Sequence, residues 1–145
     1  MVPMTMTTTM MKMTNNAHIS HIRVYYEDTD MAGVVYYANY LKFIERARSD
    51  ALREAGVDQR AMRDEGVVFV VNRVVADYHA PARYDDVLQI ETTTLDVRRA
   101  SAILRQVVTR DGLRIFTADV RIACISVEGR ALRLPEIARN ALTSL

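Results

Sequence analysis

Val24 to Arg48 reads VYYEDTDMAGVVYYANYLKFIERAR, and this stretch decides the architecture. It joins the end of a strand, an acidic elbow, one glycine and the start of an amphipathic helix. The order sets the carboxylate of Asp30 ahead of a helix N-terminus. There, N–H groups without intrahelical partners and the helix dipole favour negative charge. A carboxylate beside aimed N–H donors is equipment for attacking an acyl carbonyl and holding the oxyanion that forms. The competing reading of Asp30 is an N-cap or loop aspartate satisfying backbone donors. Asp28 better fits a purely structural, turn-stabilising role.

Outward from this segment, Ile19 to Glu27 reads as a first strand, and Asp28 to Val34 breaks it with the conformational freedom of Gly33. From about Ala38 to Ala55, Leu41, Ile44, Ala47, Ala51, Leu52 and Ala55 recur at helical spacing, and Gly56 supplies a stop. A short helical turn, Gln59 to Asp64, follows. Val67 to His79 opens on the apolar run VVFVV, which suggests a central strand buried on both sides. Val87 to Val97 alternates, with Leu88 and Ile90 inward. Ser101 to Thr109 and Ile115 to Val127 flank Asp111-Gly112, a strong hairpin signal. Pro135 to Leu142 reads as a terminal helix with proline in its first turn. The expected class is α+β: a five-stranded, mostly antiparallel sheet wrapped around one long helix.

A chain of 145 residues suits one domain with a single core. Residues 1–17, rich in Met and Thr, are expected to form a disordered tail, and 18–145 the single folded domain. The threonines interrupt any signal-peptide core, the repeated methionines leave the start codon open, and no window approaches a membrane span. A net charge of +1 gives no bulk reason to expect nucleic acid or stable membrane insertion. The lone Cys124 excludes an intrachain disulfide and points to a reducing, cytoplasmic compartment; in RIACISV it reads as a small core residue. His18, His21 and His79 form no metal-ligand pattern with acidic residues, so no metal is expected. There is no Gly-x-Ser-x-Gly elbow and no phosphate-binding glycine loop.

The opening segment, together with YHAPARYDDVLQIET (Tyr78 to Thr92) and Arg133-Leu134-Pro135, resembles the hot-dog fold of the 4-hydroxybenzoyl-CoA thioesterase-like family. Within that family the chain looks like the Tol–Pal-associated, YbgC-type enzymes. The resemblance covers about Ile19 to Pro135. It implies acyl-CoA hydrolysis to free acid and CoA, no metal or organic cofactor, and a homodimer or homotetramer with sites at the subunit interface. It also suggests association with cell-envelope machinery. The family's catalytic aspartate, nucleophile or general base, falls on Asp30. The YbgC-type branch usually carries histidine where this chain has Tyr37; the benzoyl-CoA branch has tyrosine there.

On this basis the catalytic candidates are Asp30, Tyr37, Tyr26 and Gly33, with Gly33 and Val34 to Tyr37 supplying N–H groups to the thioester oxygen. Tyr37 either contacts the acyl group or is a core or interface tyrosine. Glu45 supports the neighbouring loop or the second subunit, or is a solvated helix-face residue. Coenzyme A carries phosphates, so a near-neutral protein needs a local cationic patch. Arg98 and Arg99 match a basic pair that the benzoyl-CoA branch uses for the nucleotide; Arg130 and Arg133 are further candidates. The alternative function is a non-catalytic hot-dog module that binds acyl-CoA or acts as a scaffold. A hot-dog hydratase needs a different Asp/His pairing, and no histidine is suitably placed.

Overall fold

Alternating side chains over the last two-thirds of the chain make four long strands, which carry the core on one face. A computed structural model describes residues 16–145; the expected tail lies outside the described residues except for its last two positions. The strands are β1 (His18–Arg23), β2 (Val67–Tyr78), β3 (Val87–Val97), β4 (Ser101–Arg110) and β5 (Leu113–Ser126). The helices are α1 (Asn39–Glu54), α2 (Gln59–Asp64) and α3 (Glu136–Ser144). The sheet order is β1-β3-β4-β5-β2, and every neighbouring pair is antiparallel. At the β4–β5 turn Asp111 and Gly112 both take positive φ, 50° and 80°, as a tight two-residue hairpin requires.

Three sequence expectations need correction. The first strand stops at Arg23, not Glu27: Tyr25 N–H turns to the Asp28 carboxylate, and Tyr26–Asp28 form a 3-10 turn. On α1 the buried residues are Tyr40, Phe43, Ile44, Ala47, Ala51 and Leu52, whereas Leu41 and Ala55 are exposed. At about 100° per residue, Tyr40 lies about 20° from Ala47 on the helical wheel and Leu41 about 120° away, so the aromatic residue takes the inner stripe. The third concerns β2, which is an edge strand rather than a central one. Among the described residues it pairs with β5 alone, and Val70, Val71, Val74 and Val75 are exposed.

The inner face of the sheet, with Leu88, Ile90, Leu104, Val108, Phe116 and Val120, closes on Phe43, Ile44 and Ala47 of α1. One polar cluster crosses this interface. Gln106 is fully buried; its Nε2 donates to the Ile44 carbonyl at 2.8 Å and lies 3.0 Å from Thr92 Oγ1. Its Oε1 accepts from the Arg48 guanidinium at 2.9 Å, and burial holds that guanidinium below its ordinary pKa. Replacing Gln106 by leucine leaves Arg48 and Thr92 without this partner. The expected cost is about 2–4 kcal/mol, read as a lower urea midpoint at unchanged m-value.

Candidate active site

The chain leaves β1 at Val24, which is fully buried and whose N–H donates to the Asp86 carbonyl at 2.8 Å. The 3-10 turn then delivers Asp28, which is structural as its sequence position implies. Its carboxylate accepts Tyr25 N–H at 2.8 Å, and its carbonyl accepts Tyr36 N–H and the Asn39 side-chain amide. Beyond it, residues 29–35 fold back on themselves through a Thr29–Val35 bridge. Asp30 N–H donates to the Val34 carbonyl and Gly33 N–H to the Asp30 carbonyl, both at 2.9 Å. Gly33 sits at φ 79°, a conformation that costs a residue with Cβ. Val35 N–H ties this hairpin to Ala82, in the loop between β2 and β3, at 2.8 Å.

Asp30 stands exposed at the tip of the turn. One carboxylate oxygen accepts Ala32 N–H at 2.9 Å; the other makes no hydrogen bond among the described residues. Asp30 does not cap α1, whose N-cap is Ala38; the turn and the Val34–Tyr37 run separate the two. The amides expected to face a thioester oxygen therefore divide into two sets. Those of Gly33, Val35 and Tyr36 are committed to Asp30, Ala82 and Asp28 carbonyls. Those of Val34, Tyr37 and Ala38 donate to no acceptor among the described residues.

Val34, Val35, Tyr37, Tyr40, Tyr78 and Pro81 line a groove of about 330 Å³ together with His79 and Ala80. Tyr37 is 63% exposed at its rim and stacks obliquely on Tyr36. Tyr40 is buried against Phe116, its hydroxyl accepts Ala82 N–H at 3.2 Å, and burial raises its pKa. Two expected residues stand apart from the groove. Tyr26 is 83% exposed in the 3-10 turn. Glu45 accepts a hydrogen bond from Ser49 at 2.6 Å and lines a cleft between α1 and β2, away from the elbow.

The four arginines gather at the opposite end of the sheet. The elbow is fixed to the start of β3, whereas Arg98 and Arg99 follow its end, about 33 Å further along the strand. Arg98 N–H closes the turn onto the Ser101 carbonyl, and its guanidinium pairs with Asp96 at 2.8 Å. Leu134 N–H donates to the Arg99 carbonyl at 2.9 Å, which brings Arg133 beside this turn, while Arg130 lies in the preceding loop at Gly129. Arg139 of α3, which sequence reasoning missed, donates to the carbonyls of both Arg98 and Arg99. Only the topology brings it there. Cys124 is buried as expected, and burial raises its pKa.

A helix laid on a five-stranded antiparallel sheet is the hot-dog architecture, which this chain shares with solved thioesterases. Residues 24–142 match the thioesterase-like superfamily, and the chain belongs to that family. It is 43% identical over 105 residues to the acyl-CoA thioester hydrolase YbgC of Escherichia coli O6:H1, covering 72% of this chain and 78% of that protein. A probable thioesterase from Bartonella henselae superposes with TM-score 0.79 at 37% identity, covering 82% of this chain and 99% of the other. An aspartate-to-asparagine variant of 4-hydroxybenzoyl CoA thioesterase, solved with 4-hydroxybenzoyl CoA, superposes with TM-score 0.81 at 25% identity, covering 88% and 99%.

Proposed function

We infer that this chain is an acyl-CoA thioesterase in which Asp30 acts as nucleophile or general base and the amides at the start of α1 polarise the thioester carbonyl. The observation that carries this reading is an exposed carboxylate with one oxygen free among the described residues, in a hydrogen-bonded turn whose Val34, bound by the Asp30 N–H, lines an apolar groove. A binding module has no use for a carboxylate left open next to a thioester. The names of the relatives point the same way. The test is release of free thiol from short-chain, long-chain and aromatic acyl-CoAs. Hydrolysis of none of them would remove the enzyme reading.

The working unit is a homodimer, itself able to pair into a tetramer. Within one protomer Asp30 and the arginines lie at opposite ends of β3. Antiparallel pairing of two β2 edges about a two-fold axis reverses one sheet against the other. The arginine end of one protomer then lies at the Asp30 end of its partner. The exposed valines of β2 supply the apolar contact. Arg98, Arg99, Arg130 and Arg133 bind the phosphates of CoA across this interface, and Arg139 holds the Arg98–Arg99 turn. Changing Arg98 and Arg99 together to alanine is expected to raise KM about tenfold and to leave kcat within twofold. An unchanged KM in steady-state kinetics counts against phosphate contact. Cytoplasmic location accords with the single buried Cys124. Among the described residues no helix is long and apolar enough to cross a membrane.

A further inference from the structure

Tyr78 closes β2, and its hydroxyl donates to the Tyr37 carbonyl at 2.9 Å, a contact between residues 41 apart in sequence. The ring is gripped from several sides. Its centroid lies 4.9 Å from Phe116, 5.5 Å from Tyr40 and 6.3 Å from Tyr37, each edge-on. A phenol of ordinary pKa, about 10, is already protonated at neutral pH, and partial burial of this half-exposed ring raises it further, so the hydroxyl is a donor. The chain it touches is held at both ends. Tyr36 N–H is bound to the Asp28 carbonyl at 3.0 Å, and the Tyr37 carbonyl is bound to Tyr78. The Tyr37 amide lies between these anchors and the Ala38 amide directly after the second, and neither donates to an acceptor among the described residues.

The Tyr37–Ala38 peptide is trans and planar, so its N–H points away from the carbonyl that Tyr78 fixes. Pinning the carbonyl therefore sets the direction of the Ala38 N–H. A hydrogen bond at the carbonyl also polarises the peptide and strengthens that N–H as a donor.

We propose that Tyr78 is a positioning residue for hydrolysis: its hydroxyl holds the Tyr37–Ala38 peptide so that the free amides ahead of α1 face the reacting carbonyl. This rests on the thioesterase reading above. Donors that meet charge developing in the transition state act on kcat more than on ground-state binding.

The test is steady-state thiol release by wild type and Tyr78→Phe, with the folded fraction of each measured by thermal melting. Phenylalanine keeps the ring packing and removes only the hydroxyl. The expected result is a kcat about tenfold lower with KM within twofold of wild type. A wild-type kcat, after correction for the folded fraction, would overturn the proposal. So would a raised KM at unchanged kcat, which would make Tyr78 a wall of the acyl groove and nothing more. If wild type itself releases no thiol, the thioesterase reading fails first and the proposal falls with it.

Discussion

Asp30→Asn is expected to lower kcat at least about a hundredfold on every acyl-CoA the wild type hydrolyses, the range lost when a positioned base or nucleophile is removed. Asparagine keeps the oxygen that accepts Ala32 N–H, so the turn through Gly33 should survive. Affinity for a non-hydrolysable CoA analogue, measured by calorimetry, should stay within twofold. Equal turnover by the two proteins would remove Asp30 from the chemistry. A single turnover in ¹⁸O-labelled water detects a nucleophilic Asp30 whose anhydride is opened at the aspartyl carbonyl. A nucleophilic Asp30 passes through an anhydride, and attack of water on its aspartyl carbonyl leaves label in the protein. A general base leaves label only in the released acid.

The second large effect is on assembly. Val71 and Val74 pair with Ile122 and Val120, both buried, and so lie on the inner side of the β2 edge. Changing both to lysine places unpaired charge on each side of the two-fold axis. Such charges cost several kcal/mol when buried, enough to weaken a dimer at least about a thousandfold. If the proposed dimer is the working unit, light scattering should give the mass of one chain instead of two, and kcat/KM should fall at least about tenfold as each Asp30 loses the arginines proposed to come from its partner. A folded variant with monomer mass and wild-type kcat/KM would break the link between assembly and catalysis.

Local patterns carried much of this into the sequence. The Asp111-Gly112 hairpin, the short α2 and the structural role of Asp28 follow from turn chemistry and spacing alone. The β2 error has a physical origin. The run VVFVV reports that its side chains avoid water, and it reads the same whether the chain's own layers or a second copy cover it. Leu41 misled in a related way, because its neighbour Tyr40 is equally apolar over most of its surface and fits the stripe better. Arg139 and Tyr78 were beyond reach. Tyr78 reaches one distant backbone carbonyl and Arg139 two, and no local spacing encodes such contacts. Of the site, the acidic elbow was legible and the separation of its carboxylate from the arginines was not.

The most direct measurement mixes two crippled chains. Asp30→Asn protomers are refolded together with protomers carrying Arg98→Ala and Arg99→Ala, and kcat/KM is read at substrate far below KM. If one protomer supplies the carboxylate and its partner the arginines, half the dimers contain one intact site. Activity then recovers toward about a quarter of wild type. A mixture no more active than the average of its two parents would show that each protomer works alone, and the shared site would be gone.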